Sequence, residues 1–384
     1  MTGPGAATGG GSLVADGSTT LAAFSDTIFS DIRRADQRRW AQAYLSGLLI
    51  TPGNKSVRRL AGHVSTSRTA AQSLRQFVSS SPWDCDPVMR KLTRWVEACK
   101  PASAWTLHRV VTPKSGDRSV GVHRYFDPSA NRTLNCQLSI GAFLSIGPVQ
   151  VPVDWRLHLP APWTKDAQLR RRARIPDTVQ HRPLSRQMLD LVDALASRAA
   201  HGSVPVVTDV SDTSACETLV RGLSRRGHDF VVALHPRLWV CPTGEGAPHS
   251  RGLVGAGECL AAGAVDTALV TTESGRQWHT QVRSALVHLP GARGTAAPDG
   301  PFRLLTEVTQ DDRPGPVWIT NLTHRPFDDI MSLTTRQASA AAAVDALKRD
   351  FGLGDFEGRS FPGWYHHATL VSSAYAYQHL AATA

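Results

Sequence analysis

Three kinds of residue in this 384-residue chain have chemistry to offer. The first is arginine. Arg33, Arg34, Arg38 and Arg39 fall close together, Arg58 and Arg59 are adjacent, and Arg170, Arg171, Arg172 and Arg174 form a run. With 42 Lys and Arg against 32 Asp and Glu, the formal net charge is 42 − 32 = +10. Such a surplus favours a polyanion, nucleic acid first and an anionic membrane surface second. The competing reading is a set of solvated helix faces with no partner. The second kind is the histidine pair His366-His367, which invites a metal reading. Neighbours on a helix point in different directions, so the two do not readily share one ion. The third is a single acid, Asp209, which closes the short β-branched run Val204–Asp209. The six cysteines (Cys85, Cys99, Cys136, Cys216, Cys241 and Cys259) are scattered, with no CxxC and no zinc spacing. They read as reduced thiols, which suits a cytoplasmic protein.

Elements must position these groups. Residues 1–20 are rich in Gly, Ala, Ser and Thr and read as a flexible tail. Residues 21–100 read as helical: Phe24, Ile28 and Ile32 repeat at i, i+4, i+8, and Trp40, Tyr44 and Leu48 continue the pattern to a Pro52-Gly53 break. Two short helices follow, carrying Val57, Leu60 and Val64, then Ala71, Leu74 and Val78, with Lys55, Arg58, Arg59, Arg68 and Arg75 expected outside. That pair is either a helix-turn-helix DNA reader or an ordinary helical hairpin with a basic face. From residue 104 the period changes to two. Trp105–Val111, Ser119–Tyr125 and Leu134–Leu144 read as a three-strand meander. Helices over 185–200 and 219–226 then alternate with strands at Val204–Asp209, Phe230–Leu234 and Val317–Asn321, and a helix covers Ala338–Asp350. The sum is a mixed α/β sheet, with residues 101–236 and 313–384 as its core and a mainly β insertion over 237–312. No apolar run reaches about 18 residues, and no basic segment precedes an apolar one at the N-terminus. Neither a membrane span nor a signal peptide is expected.

Five segments in register resemble DDE-type insertion-sequence transposases, closest to insertion sequence family 701 and its neighbours. They are QRRWAQAYLSGLL at 37–49 with SPWD at 81–84, SVGVHRYF at 119–126, NCQL at 135–138, VDWRLHLPAPWTKD at 153–166 and FEGRSFPGWYHHATL at 356–370. The resemblance runs from about residue 24 to the C-terminus. It implies an RNase H-like fold, action on DNA as a dimer, and three carboxylates holding two Mg²⁺ about 4 Å apart for in-line phosphoryl transfer. It also implies where those acids belong. The first falls eight residues before Gly116, where this chain has His108, with Arg109 next. The second is present as Asp209. The third falls fifteen residues before Phe356, where the chain has Ala341, within ASAAAAVDALK. Asp345 lies one helical turn, about 5.4 Å, beyond it.

Two acids of three are therefore replaced, and the ancestral Mg²⁺ site is expected to be lost, with no cofactor in its place. Two functions from different classes follow. One is a DNA-binding or regulatory protein without strand transfer, holding phosphates through the arginines named above. The other is a different enzyme acting on a small molecule in the old pocket, with His108 and Asp209 in contact as a base and its orienting carboxylate. Thr208 and Cys216 would be its helpers. A structural ion pair plugging the vacated site competes with that dyad. Trp83, Trp155, Trp163 and Trp364 are expected in the core.

Overall fold

The computed structural model describes residues 20–127, 131–199, 202–211, 215–243, 252–291, 299–308 and 315–382. Most of the expected tail, residues 1–19, lies outside them. Five helices come first: α1 (Leu21–Ile28), α2 (Ala35–Ile50), α3 (Val57–Val64), α4 (Ala70–Ser80) and α5 (Cys85–Cys99). Local chemistry sets their starts. The Thr20 hydroxyl accepts from Ala23 N ahead of α1, and the Asp84 carboxylate accepts from Asp86 N ahead of α5. Their apolar faces turn inward, with Phe24, Tyr44, Leu60, Leu74 and Leu92 almost wholly buried. Lys55, expected outside, is buried, with its ammonium on Thr51 O and its backbone N–H on the Asp355 carboxylate.

The sheet is built around β1 (Trp105–Pro113). On one side β1 pairs antiparallel with the long β3 (Arg132–Ile146), which pairs antiparallel with β4 (Val149–Leu157). On the other side β1 pairs parallel with β5 (Val206–Asp209), and β5 pairs parallel with β6 (Phe230–Leu234). The order β4-β3-β1-β5-β6, with one antiparallel meander and two parallel crossovers, is RNase H-like. The third meander strand is β4, not the segment 119–125. Residues 119–122 form a turn in which Gly121 takes φ +76°, and only β2 (His123–Asp127) is extended, as a short ribbon on the outer end of β3.

The sheet does not stop at the core. β12 (Val317–Thr320) pairs antiparallel with β6 and continues to β11 (Asp299–Glu307) and β10 (Gln277–Leu289). β10 also pairs with β7 (Trp239–Thr243) and β9 (Ala264–Thr271). β7 carries the two-residue β8 (Val254–Gly255), and α10 (Ala256–Ala261) follows directly. The segment expected to be mainly β is thus an extension of the same twelve-stranded sheet.

Helices cover both faces. On β5, Val206 shares a core with Leu219 and Leu223 of α9 (Cys216–Arg225) and Leu191 of α8 (Leu184–Arg198). Its neighbour Val207 points the other way, with Val231, Ala233, Ile330 and Met331. The last two belong to α11 (Phe327–Asp350), which begins well before the expected Ala338. α11 is fastened to the edge strand β9: Asp328 Oδ1 accepts from Leu269 N and Ser332 Oγ accepts from Thr271 N, each at 2.9 Å. α12 (Phe361–Leu380) packs against β4, α2, α4 and α5 and closes the molecule.

Candidate functional site

The parallel pairing of β1 with β5 sets Leu107 beside Thr208. The next residues are His108 and Asp209, at the C-terminal end of β5, on the face that α11 covers. The register therefore sets His108 and Asp209, the two positions expected to converge, at the ends of neighbouring strands. The contact expected between them is not made. His108 Nδ1 is 3.2 Å from Gln337 Oε1 on α11. Gln337 Nε2 donates to Leu107 O at 3.1 Å, which fixes the amide with its oxygen toward His108. The Nδ1 atom therefore carries the proton, and Nε2 is left with a lone pair. Asp209 Oδ1 instead accepts from Ser211 N at 2.9 Å. Burial pushes the His108 pKa down. The Gln337 bond and the Asp209 charge work upward, while Arg109 and Lys348 work downward. The imidazole is neutral at pH 7.

Three other residues shape the surroundings of His108. Gly141 lies opposite His108 across the β1–β3 pair and opposite Trp155 across β3–β4. A Cβ at Gly141 would come within 2.7 Å of Phe143 Cε2 and 2.9 Å of Trp155 Cζ3. The Trp155 indole thus fills the space beside the histidine, held by an Nε1 bond to Ser372 Oγ at 2.8 Å. Ala341 stands one turn beyond Gln337 on the same face of α11 and offers a methyl. Asp345, one turn further, is exposed and interacts electrostatically with Lys348 and Arg349. Arg109 alternates to the opposite face and donates to the Tyr125 hydroxyl at 3.2 Å. The other candidate helpers are occupied. Thr208 Oγ1 donates to Leu107 O at 3.0 Å, and burial pushes the Cys216 thiol up to about 12.

Mg²⁺ requires several hard oxygens. The three positions that the sequence resemblance points to supply one carboxylate, one imidazole and one methyl, which do not fit a pair of such ions. Among the described residues, no three His, Cys, Asp or Glu side chains come together to hold a metal. His366 and His367 diverge, as adjacent helical residues must. His366 meets Val78 O and Trp83 O, while His367 meets the Tyr44 hydroxyl and Gly352 O. Trp83, Trp155, Trp163 and Trp364 are all buried.

The ten arginines separate into two classes. Five are tied down. Arg34 makes a bidentate pair with Asp36, Arg38 donates to Ile32 O, and Arg59 to Pro52 O. Two lie in or just after α7 (Ala167–Ala173), which follows the short α6 (Ala161–Lys165). Arg170 donates to Thr164 O, Val179 O and Pro176 O. Arg174, the left-handed residue at the end of α7, donates to Ser79 O. Arg33, Arg39, Arg58, Arg171 and Arg172 are exposed and carry no side-chain hydrogen bond or ion pair among the described residues. The groups do not form one stripe. The start of α2 and the end of α7 both abut the end of α4: Arg34 and Ser80 line one cavity, and Arg174 reaches Ser79. Arg58 is on α3, which follows the other end of α2, a helix of 16 residues and about 24 Å.

The sequence reading missed Gln337, the group that fixes His108. An uncharged amide in a Ser/Thr-rich stretch gave no chemical signal. No helix among the described residues is long and apolar enough to cross a membrane.

No curated protein matches the chain. A family model described as DDE superfamily endonuclease matches residues 27–259. That span is more than half of the chain and contains β1 with His108 and β5 with Asp209. It ends before α11. With an RNase H-like sheet and the two strands brought into register, the match is decisive, and the chain belongs to the DDE superfamily endonuclease family.

Proposed function

We propose that this transposase-like protein binds DNA without cutting or joining it, as a regulatory descendant of a transposase. One observation carries the reading: where paired metal ions would need carboxylates on β1 and α11, the pocket offers the His108 imidazole bonded to Gln337 and the Ala341 methyl. Asp209 alone remains. Phosphate contacts from arginine need no metal. The exposed Arg171 and Arg172, with Arg33 and Arg39 near the same end of α4, supply a surface for them. In this reading the protein is cytoplasmic, where its six free cysteines stay reduced, and it acts as a homodimer.

Fluorescence anisotropy on a labelled duplex at about 50 mM salt, where electrostatic affinity is large, tests the binding. Binding is expected without divalent metal. In the double variant Arg171→Ala, Arg172→Ala the slope of log K against log salt should fall by roughly 1–2. No binding at that salt would remove the proposal.

A second reading rests on the free Nε2 of the neutral His108, a usable general base for a small-molecule substrate. Any metal-independent activity found in the protein should then vanish in His108→Ala. Activity that survives that change belongs elsewhere.

A further inference from the structure

The last carbonyls of a helix have no partner within it. At the end of α4 two basic side chains meet them. Arg174 Nη1 donates to Ser79 O at 3.0 Å, and the ring of His366, on α12, lies against Val78. Both ring nitrogens of His366 face main-chain carbonyls: Nδ1 is 2.9 Å from Val78 O and Nε2 is 2.8 Å from Trp83 O. A carbonyl oxygen only accepts. Each contact therefore requires an N–H, and a neutral imidazole has one where the imidazolium has two. Turning the ring over would put carbon at both places and lose both bonds.

Two features of the surroundings favour a cation. The His366 ring lies flat on the Trp83 indole, with centroids 4.0 Å apart and 13° between planes, and Trp83 stacks on Phe77 at 5.6 Å. A cation over an indole face is attracted to it, as is one at a helix C-terminus. Of the charged groups that act on the ring, Asp84 from the 81–84 segment favours the proton and Arg174 from the end of α7 opposes it. Burial is the largest influence and pushes the His366 pKa down from the ordinary histidine value; the two carbonyls counter it, and because each of them needs an N–H the geometry is the stronger constraint.

We propose that His366 is a buried imidazolium at neutral pH, and that its second proton pins α4 and the 81–84 segment to α12. The pin releases as the pH rises. With the proton gone, one carbonyl faces a nitrogen lone pair, and α4, the second helix of the basic hairpin, loses a fastening. The claim concerns a charge state, so it stands or falls independently of DNA binding.

Nitrogen-15 NMR of the histidine rings in the full-length wild-type protein at pH 7 tests it. His366 is assigned through bonds, and its loss in His366→Gln serves only as a check. Two protonated ring nitrogens are expected, with slowly exchanging N–H protons. Trp83→Leu keeps the carbonyl but removes the indole face, and should lower the pH at which the proton leaves by about one unit. A wild-type His366 with one unprotonated, lone-pair nitrogen at pH 7 would overturn the proposal, whatever either variant does.

Discussion

Gln337 determines what His108 can do. Its oxygen accepts the Nδ1 proton, and its nitrogen is held by a backbone carbonyl, so the imidazole has one orientation and one tautomer. That bond favours the protonated ring, against the burial that disfavours it. Removing the acceptor in Gln337→Ala should therefore move the His108 titration to lower pH in an NMR titration. A midpoint that stays put or rises would show that the amide does not hold the ring. Asp209 was readable as a residue, because a β-branched run ended in it. The proposed loss of acids at His108 and Ala341 rests on the resemblance alone, since neither residue has any feature that marks an absent carboxylate. The partner of His108 was not readable. It depends on how α11 lies across β1, 230 residues away in the chain.

At the scale of elements, a short continuous apolar run was legible as a strand, and Phe230–Leu234 falls where expected, buried at every position. β4 was not read as a strand. Pro152 interrupts it, and Gln150 and Asp154 are polar residues that the fold buries. The sheet accommodates the proline with a register shift opposite Ala142 and Phe143. The start of α11 was missed for a different reason. Its first turns contain Ser and Thr, weak helix formers, and fastening to β9 overrides that propensity. The junction of β3 with β4 beside the pocket is tight. Gly141→Val would drive a branched side chain into Phe143 and Trp155. Overpacking of that kind costs typically 1–3 kcal/mol. Thermal melts should show a clear loss, of about that size, and an unchanged midpoint would mean the pocket wall is looser than described.

At the scale of the whole molecule, two buried histidines are stored neutral. His158 and His367 are both held down to about 4, by burial first. For His158 the neighbouring His123 and His181 add to the effect. In the unfolded chain each titrates near 6.5. Between these values the unfolded chain binds protons that the folded one does not. The stability these groups contribute is complete above about pH 6.5 and is lost as the pH falls toward about 4. Two such groups give at most ~2.7 kcal/mol per pH unit. Urea midpoints should fall steadily across that window, and a flat profile would place one or both rings in contact with water. The same molecule has an RNase H-like sheet and belongs to the DDE superfamily endonucleases, and under the proposed function the site at His108 has Asp209 as its single acid. Nicking of supercoiled DNA in the presence of Mn²⁺, the wild type beside Asp209→Asn, tests that most directly. No cleavage above the Asp209→Asn background is expected. Metal-dependent nicking by the wild type that disappears in Asp209→Asn would contradict it.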